Sequence, residues 1–472
     1  MKKILGLLTI LAMVFTLGAC GKRGGIPETG TPTQTVKPTN TATTTDQSDQ
    51  IAITTIDALT LGSDYKDLSA ELRFLTHRTD IMDTKLAGYV TEFQKLYPNI
   101  KITYEAVPYY NEDMMVRLAT GDWGDICMIP ITLLKEELPS YFLALGDYNG
   151  IAQTYDLSQH YTYEGQVYGL CSAIETLGIF YNKRVFTAAG ITTLPKTPKE
   201  YLDTLQKIKD GTEAVPLYTN FAEGWTMGEW DAYIGGTATG DPDFLNQVLP
   251  HAKDPFADRG NGTGPYAVYE ILYEAVSRGL VEEDPITAEW EASLGMLNRG
   301  EIGTMVLGSW AYPLLRDAGD DPDSIGYMPF PITVNGKQYT SVSPDYGYGI
   351  NNNSSDNNKI ASMLYIKWLT EQSGFAIGEG GISIVQGEAK PETYSAFEGV
   401  EYIADNPPRA GEETLLADLN AASEVGINMD NSHVQRILES AVDQTESLDD
   451  IVEDWNSRWT DAQRKLGVTI EK

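Results

Sequence analysis

The side chains that most often carry catalysis or bind metal are few and widely spaced in this sequence. Its four histidines, His77, His160, His251 and His433, lie far apart along the chain, which favours surface or core roles. The patterns His-Glu-x-x-His, Gly-x-Ser-x-Gly and Gly-x-x-x-x-Gly-Lys-Ser/Thr are absent. Only carboxylates are abundant, with 67 Asp and Glu, and two of them would suffice for glycoside hydrolysis. We therefore predict no catalytic residue, no metal and no cofactor, and keep a secreted glycan hydrolase as an alternative.

One cysteine has a context that predicts a modification. The chain starts with a short positive segment, and the apolar run that follows is too short for a comfortable membrane span of about 20 residues. The run ends in Leu17-Gly18-Ala19-Cys20, which resembles the cleavage box of bacterial lipoproteins, whose cysteine is diacylated and becomes the new N-terminus. We therefore expect a signal peptide over residues 1–19 and a lipid on Cys20 that anchors the protein at the outer face of the cell membrane.

Composition and charge exclude several classes of protein. The 472 residues include 34 Lys and Arg against 67 Asp and Glu, a formal net charge of −33. Binding to nucleic acid needs a basic face that such a chain cannot supply, so we expect no nucleic-acid partner. The length exceeds the roughly 250–300 residues at which a single core stops growing, which predicts at least two lobes. Besides Cys20, only Cys127 and Cys171 are present, so at most one disulfide can form.

Residues 20–70 are predicted to form a tether. From Gly21 to about Leu68 the sequence is rich in threonine, proline and glutamine and has few apolar side chains. Such a segment buries too little surface to offset the entropy of ordering it. We therefore expect folded structure to begin near Glu71.

From Glu71 onward the hydrophobic pattern predicts alternating strands and helices. A strand at residues 72–76 precedes a helix over residues 86–97, in which apolar side chains recur every three or four positions, and a strand over residues 100–106. A second helix is predicted from Asn111 to Thr120, ended by Gly121, before a short buried strand at residues 125–129. This order predicts an α/β lobe with a parallel sheet, whose ligand would lie at the carboxyl ends of the strands.

Four segments carry motifs that occur together in one family. Residues 97–102 with 119–126 resemble a proline-bounded strand and an "aaGd-x-PD" turn, with Gly124 in the place of proline. Residues 163–170, Tyr-Glu-Gly-Gln-Val-Tyr-Gly-Leu, lead to Ile-Phe-Tyr-Asn-Lys at 179–183. Residues 195–201 resemble "P-x-T-W-x-E-F" with Pro198 in the place of tryptophan, and residues 297–310 end in Gly-Ser-Trp. In this order the segments resemble the extracellular solute-binding proteins of ABC importers, in particular the sugar-binding, maltose-binding-protein-like group.

The resemblance implies an α/β, two-lobed periplasmic-binding-protein-like fold in which each lobe is a mostly parallel sheet flanked by helices and a hinge joins the lobes. We expect the chain to cross between lobes near residues 172–175, 329–331 and 370–374. The predicted lobes are residues 71–173 with 332–372 for lobe 1, and residues 174–331 with 373–472 for lobe 2. Asn335-Gly336 predicts a type I′ hairpin just after the middle crossing.

A sugar site needs flat aromatic faces and groups that accept hydrogen bonds from pairs of hydroxyls. By resemblance, Trp310 is the stacking tryptophan and Glu175, six residues before Tyr181, is the hinge carboxylate. The loop at residues 220–225 resembles one that offers an acidic and an aromatic contact, which are here Glu223 and Trp225, whereas Trp230 is a candidate for the core. The expected contacts on the remaining walls follow the first strand, precede the third strand or lie in a later strand, and are His77, Arg78, Asp80, Trp123, Asp125 and Tyr346.

The predicted function is that of the substrate-binding component of an ABC transporter. It would capture a sugar or oligosaccharide between its lobes and deliver it to the transmembrane subunits of a permease by hinge closure. We expect a monomer attached to the membrane through its lipid. Besides the glycan hydrolase, a solute-binding protein for a non-sugar ligand such as a polyamine is an alternative, because the acidic balance of the chain suits a cation.

Overall fold

The computed structural model describes residues 54–429 and 431–471. The predicted signal peptide, Cys20 and the first part of the tether lie outside the described residues and stay predictions. The tether prediction is wrong for residues 54–70, because apolar side chains anchor this segment to the folded body. Ile56 and Leu59 are buried, and the Ile56 amide donates to the Leu145 carbonyl at 2.9 Å. In the part of the chain that the structure covers, no helix has both the length and the apolar character needed to cross a membrane.

Short strands supply the framework of both lobes. In chain order they are β1 (Ala70–Thr76), β2 (Ile100–Ala106), β3 (Ile126–Ile129), β4 (Gly146–Asp147), β5 (Thr162–Tyr163), β6 (Gln166–Val167), β7 (Gly169–Cys171), β8 (Ile174–Asn182), β9 (Val215–Leu217), β10 (Ile302–Gly308), β11 (Ile325–Pro329), β12 (Thr333–Val334), β13 (Lys337–Pro344), β14 (Gly347–Ile350) and β15 (Glu401–Ile403).

The α-helices alternate with these strands and then close the chain. They are α1 (Ala87–Phe93), α2 (Tyr110–Thr120), α3 (Leu138–Tyr141), α4 (Tyr148–Ile151), α5 (Lys183–Ala188), α6 (Pro198–Gly211), α7 (Trp225–Gly228), α8 (Gly236–Thr239), α9 (Gly264–Ser277), α10 (Trp290–Arg299), α11 (Tyr312–Asp317), α12 (Asp356–Glu371), α13 (Phe375–Gly378), α14 (Leu415–Ser423), α15 (Ser432–Asp443) and α16 (Leu448–Leu466).

Lobe 1 is built on a five-stranded sheet of order β2-β1-β3-β14-β7. β1 pairs in parallel with β2 and β3, as predicted, whereas β14 runs antiparallel to β3 and β7. α2 ends at Gly121, whose φ of 76° is the left-handed conformation that glycine adopts most easily. Cys127 on β3 and Cys171 on β7 are separated by β14 and are free, buried thiols, and burial raises the pKa of each.

Lobe 2 is built on a mixed sheet of order β12-β13-β8-β10-β9, with β11 also on β8 and β15 on β13. The prediction of a mostly parallel sheet is wrong here, because β10, β11 and β13 all run antiparallel to the long strand β8. The predicted type I′ hairpin joins β12 to β13, and Asn335 and Gly336 have φ values of 51° and 84°. The two-lobed α/β fold is thus confirmed, with mixed sheets in both lobes.

Three chain segments cross between the lobes side by side. Ile174, at the start of β8, pairs with Pro344 at the end of β13 and exchanges two hydrogen bonds with Ile382, at 2.8 and 2.9 Å. This first crossing falls within residues 172–175. The second crossing follows β13 at residues 345–346, whereas the predicted boundary lies at residue 332. The third crossing follows α13, whereas the predicted boundary lies at residue 373. Both crossings therefore lie later in the chain than the predicted boundaries. Residues 333–344 pair with lobe 2 strands, although the predicted boundaries assign them to lobe 1.

The family-like motifs have local structural roles. Thr197 caps α6 by accepting a hydrogen bond from the Glu200 amide at 3.3 Å, and Pro198 occupies the first turn, where its missing N–H is not needed. Asn182 is buried, caps α5 through its Oδ1, and donates from Nδ2 to the Leu297 carbonyl at 2.8 Å. These motifs fix the ends of β8 and β10, and therefore the position of the residues that precede and follow those strands.

Candidate functional site

A cavity of about 210 Å³ lies where the crossing segments meet the two lobes. Four carboxyl groups and one guanidinium line it, which makes it rich in hydrogen-bond acceptors. Of the predicted contacts, the structure brings five together here, and four further residues complete the lining. The full set is His77, Arg78, Asp80, Glu175, Trp310, Pro313, Leu314, Asp345 and Glu379.

His77 follows β1, so it lies at the carboxyl edge of the lobe 1 sheet. Its ring stacks on that of Tyr346, with centroids 4.3 Å apart, and meets the edge of Tyr110 at 5.7 Å. Burial lowers the pKa of His77, against the opposing effect of Asp345, and favours the neutral imidazole. Nδ1 is buried and has no hydrogen-bond partner among the described residues. A neutral imidazole both donates and accepts a hydrogen bond, and His77 lines the cavity.

Arg78 forms the centre of an ion-pair cluster at one wall. Its guanidinium binds Asp80 through two hydrogen bonds of 2.8 and 2.9 Å and binds Glu379 with its remaining nitrogen. Lys85 reaches the other oxygen of Glu379 at 3.0 Å. Burial opposes the charge of Arg78, but the two carboxylates outweigh it and raise the pKa of Arg78, while Arg78 lowers the pKa of Asp80. The ion pairs therefore favour the charged forms of Arg78 and Asp80 and connect the loop after β1 to the end of α13.

Glu175 and Asp345 come from two neighbouring crossing segments. Glu175 Oε2 accepts a hydrogen bond from Ser309 Oγ, and the Trp310 amide donates to the same carboxyl group. Asp345 Oδ2 accepts from Ser172 Oγ, and the Asp345 amide donates to the Ala173 carbonyl at 3.0 Å. Burial, and then the charge of Asp345, raise the pKa of Glu175 to about 8.

Trp310 extends the site toward two more tryptophans. It follows β10 in a short 3-10 turn, and its ring centroid lies 5.8 Å from that of Trp225 and 6.1 Å from that of Trp290. Trp225 and Trp290 meet edge to face at 5.0 Å, and 37% of Trp225 is exposed. We call Trp225, Trp290 and Trp310 the tryptophan cluster. Because Trp225 is partly exposed, the cluster offers aromatic surface that can stack on apolar faces of a ligand.

Glu223 and Tyr346 lie beside the cavity. Glu223 is exposed and its Oε1 accepts a hydrogen bond from the Trp290 amide at 3.4 Å, which places this carboxylate at the tryptophan cluster. The Tyr346 hydroxyl accepts a hydrogen bond from Asn111 Nδ2 at 3.1 Å, so its ring supports His77 from the lobe 1 side. The predicted contribution of these two residues to ligand binding stays a prediction.

A larger cavity of about 860 Å³ opens from the inner one. The two share Arg78, Asp80, Pro313 and Leu314. The larger cavity lies between the loop and turn at residues 78–85 of lobe 1 and helices α10 and α11 of lobe 2. The inner cavity is therefore the closed end of an open cleft between the lobes.

Trp123 and Asp125 do not line this cleft, and the prediction for them is corrected. Trp123 is 2% exposed and packs edge to face on Phe142. Asp125 accepts hydrogen bonds from the Arg73 amide, Ser354 Oγ and Asn358 Nδ2, and so has a structural role. Both residues precede β3, and the start of a strand parallel to β1 lies at the edge of the sheet opposite to His77.

Sequence reasoning missed Glu379 and Trp290 and did not commit to Asp345. Glu379 lies in Gly378-Glu379-Gly380-Gly381. These glycines are a sequence signal of close backbone packing that could have pointed to Glu379. A Cβ on Gly381 would lie 2.8 Å from Ala173 Cβ, and one on Gly380 would lie 2.4 Å from the Ser309 carbonyl oxygen. Only glycine lets the third crossing approach the hinge this closely.

Comparisons with known proteins agree with this architecture. A manno-oligosaccharide-specific solute-binding protein of Bifidobacterium animalis subsp. lactis, solved with mannotriose, is 44% identical, with a TM-score of 0.77 over 87% of this chain and 99% of that chain. A binding protein of an ABC transporter from the same organism, solved with mannobiose, is 46% identical, with a TM-score of 0.77 over 87% of this chain and 99% of that chain.

A more distant relative and a family profile also match this chain. The multiple sugar-binding protein of Streptococcus mutans is 24% identical over 283 residues, which are 57% of this chain and only 64% of that relative's length. Residues 79–374 match the profile of the family described as Bacterial extracellular solute-binding protein. This segment contains β8 and β13, the strands at the first two crossings. It also contains Tyr110 and Tyr346, which contact His77, and the tryptophan cluster. The chain therefore belongs to the bacterial extracellular solute-binding proteins.

Proposed function

We propose that this protein is the substrate-binding component of an ABC importer and that it captures an oligosaccharide of the mannobiose or mannotriose type. The observation that carries the proposal is the tryptophan cluster beside a cavity with four carboxyl groups, at the closed end of the cleft between two lobes. The two relatives that are 44% and 46% identical were solved with mannotriose and mannobiose, which supports this ligand class.

The chemistry of the cavity suits a neutral, hydroxyl-rich ligand. Tryptophan faces stack on the C–H surface of a pyranose, and the carboxyl groups accept hydrogen bonds from its hydroxyls. A buried acceptor that loses water without gaining a partner costs about 1–3 kcal/mol. Saccharides with several hydroxyls on one edge meet that requirement, whereas an anionic sugar would face Asp345 and Glu379.

The hinge supports a closure mechanism. Three adjacent crossing segments join the two sheets, and a few such connecting residues can absorb the backbone changes of a domain closure. A ligand that binds His77 and Arg78 on one lobe and Trp225 and Trp310 on the other gains its full contacts only when the cleft is closed. The closed protein would present one relative orientation of its lobes to the permease. It would act as a monomer held at the outer face of the membrane by a lipid on Cys20.

Such a protein has no turnover of its own. It releases its ligand unaltered, so the binding free energy closes the lobes and does not stabilise a transition state. Incubation with mannotriose should leave the length of the saccharide unchanged. Steady release of shorter products by pure protein would instead support the glycan hydrolase.

Calorimetry with a panel of mannobiose, mannotriose, maltotriose, raffinose and spermidine tests the ligand class. We expect the mannosides to bind and to stabilise the fold by about 2.7 kcal/mol at 100 times their Kd. Trp225→Ala should weaken binding, while Leu466→Ala, which truncates another exposed apolar side chain at the end of α16, should not. Binding of spermidine without binding of any saccharide would refute the sugar assignment.

Solution scattering tests the closure. Saturating mannotriose should lower the radius of gyration, because closure brings the lobes together. Tight binding without a change in scattering would indicate a preformed site and would refute the hinge mechanism while leaving the binding function intact.

A further inference from the structure

We propose that Glu175 binds the ligand as the neutral carboxylic acid and donates a hydrogen bond from Oε1 to an acceptor oxygen of the saccharide, its ring or glycosidic oxygen. This inference rests on the proposed function and concerns the same cavity. It assigns to Glu175 the opposite hydrogen-bonding role from that of a hinge carboxylate.

Among the described residues, no cation forms an ion pair with Glu175. Arg78 is bound by Asp80 and Glu379, and Lys85 is bound by Glu379. The groups that face Glu175 from the neighbouring segments are mostly anionic or neutral. The acidic groups are Asp345 after β13, Glu379 after α13 and Asp80 after β1. The neutral groups are the imidazole of His77 after β1, Tyr327 on β11 and Tyr394 in the turn at residues 392–397. The one cation among these groups is Arg78, which is paired with Asp80 and Glu379.

The hydrogen bonds at Glu175 differ between its two oxygens. Ser309 Oγ donates to Glu175 Oε2 and itself accepts a hydrogen bond from the Thr176 amide at 3.0 Å. The Trp310 amide also donates to the carboxyl group. Since Oε2 accepts from Ser309, we place a proton of the neutral group on Oε1.

Oε1 lies next to Gly381. A Cβ at this position would lie 3.1 Å from Oε1, so a larger residue would crowd that oxygen. Because Glu175 lines the inner cavity, a saccharide oxygen bound there can reach its carboxyl group. Burial and the charge of Asp345 hold the proton on Oε1 at neutral pH, since they raise the pKa of Glu175 to about 8.

The consequence for recognition is that the cavity can bind both kinds of saccharide oxygen. Hydroxyl groups donate to Asp345 and to the other carboxylates, whereas ring and glycosidic oxygens only accept hydrogen bonds. A neutral Glu175 supplies a donor for those oxygens. It also avoids placing a second uncompensated carboxylate next to Asp345.

The inference predicts a specific pH dependence of binding. If only the neutral form binds, the apparent Kd is the intrinsic Kd divided by the fraction of protein in that form. With a pKa of about 8, the Kd for mannotriose should be nearly constant between about pH 6 and pH 7 and about tenfold higher at pH 9. A ligand bound by a Glu175 carboxylate would show no loss over this range.

Three variants of the full-length chain separate the possibilities by calorimetry with mannotriose. Glu175→Gln keeps the shape and a hydrogen-bond donor but does not titrate, so it should bind within about threefold of wild type at pH 7 and lose the rise toward pH 9. Glu175→Ala should bind at least about tenfold more weakly, because donor and shape are both lost. Glu71→Gln, a change at an exposed carboxylate of lobe 1, should keep the wild-type profile.

A second readout does not depend on folding of the variants. The infrared difference spectrum of wild-type protein with and without mannotriose at pH 7 should contain the carbonyl band of a protonated carboxyl group that becomes hydrogen-bonded. Absence of that band would overturn the inference. So would a wild-type Kd that does not change with pH together with equal weakening of mannotriose binding by Glu175→Gln and Glu175→Ala. In both cases the sugar-binding function would stand. If no saccharide of the panel binds wild type at any pH, the inference falls together with the proposed function.

Discussion

Replacement of Arg78 by methionine should destabilise the protein through the charge that it leaves behind. The Glu379 side chain is only 7% exposed and is neutralised by Arg78 and Lys85. Removing one partner of a buried ion pair costs about 3–5 kcal/mol, because the remaining charge has neither its partner nor water. Since Lys85 retains its contact with Glu379, we expect Arg78→Met to cost about 3 kcal/mol, at the lower end of that range.

A double variant distinguishes the unpaired charge from the lost packing. In Arg78→Met/Glu379→Met the buried carboxylate is gone as well, and apolar side chains fill the space of both groups. Lys85 is 33% exposed and can turn to water. Replacing both members of a buried pair by apolar residues is often close to neutral, so we expect the double variant to lie within about 1 kcal/mol of wild type.

The matched control is an exposed ion pair on the same lobe. Lys101 and Glu71 pair at 2.8 Å, and their side chains are 72% and 78% exposed. Exposed pairs contribute about 0–1 kcal/mol, so Lys101→Met should change the free energy of unfolding very little.

Urea unfolding, followed in parallel by circular dichroism and tryptophan fluorescence, gives the required free energies where the two transitions coincide. The reasoning is refuted if Arg78→Met costs no more than Lys101→Met, or if the double variant is as unstable as Arg78→Met. The first result would mean that Glu379 is solvated or protonated when Arg78 is absent, and the second that lost packing, not the unpaired charge, destabilises Arg78→Met.

Three further predictions concern binding, pH and membrane attachment. Trp310→Ala should raise the Kd for mannotriose roughly 5- to 150-fold in calorimetry, whereas Trp123→Phe should alter thermal stability and leave the Kd unchanged. Burial raises the pKa of Glu229 from 4.5 to about 7. The stability that the neutral Glu229 contributes is therefore complete below pH 4.5 and is lost as the pH rises to 7, by up to about 1.4 kcal/mol per pH unit. Glu229→Gln should reduce this loss of the free energy of unfolding, measured by urea unfolding at a series of pH values. Cys20→Ser should abolish incorporation of labelled palmitate, and equal labelling of both proteins would contradict lipidation.

Local patterns in the sequence predict the elements of lobe 1 and much of the site. Alternating apolar residues predict β2, apolar content predicts the strands β1 and β3, and Gly121 predicts the end of α2, all close to the observed bounds. Asn335-Gly336 predicts a hairpin since both residues tolerate positive φ. The motifs that predict Trp310 and Glu175 also fix the ends of β10 and β8. Because these two residues lie next to those strands in the sequence, local sequence is enough to place them near the hinge.

The missed and misplaced residues have two physical causes. Trp123 and Asp125 lie at the amino end of β3, and attention to strand direction alone would have placed them opposite the cleft. Glu379 is different, because its partner Arg78 is 301 positions away in the chain. No local pattern encodes such a pair, since it depends on how the third crossing packs on the other two.

The hinge and the binding site are therefore the same set of chain segments. Each crossing segment contributes one carboxyl group to the inner cavity: Glu175 from the first, Asp345 from the second and Glu379 from the third. Backbone hydrogen bonds at Ile174 hold the segments side by side, so bending of the hinge changes the distances among these groups. Within the described part of the chain, ion pairs with Arg or Lys are seen for Glu379 but not for Glu175 or Asp345, and the repulsion between Glu175 and Asp345 is relieved either by a proton or by separation. A ligand that accepts from Glu175 and donates to Asp345 removes the reason for separation, which couples recognition of the sugar to closure of the cleft.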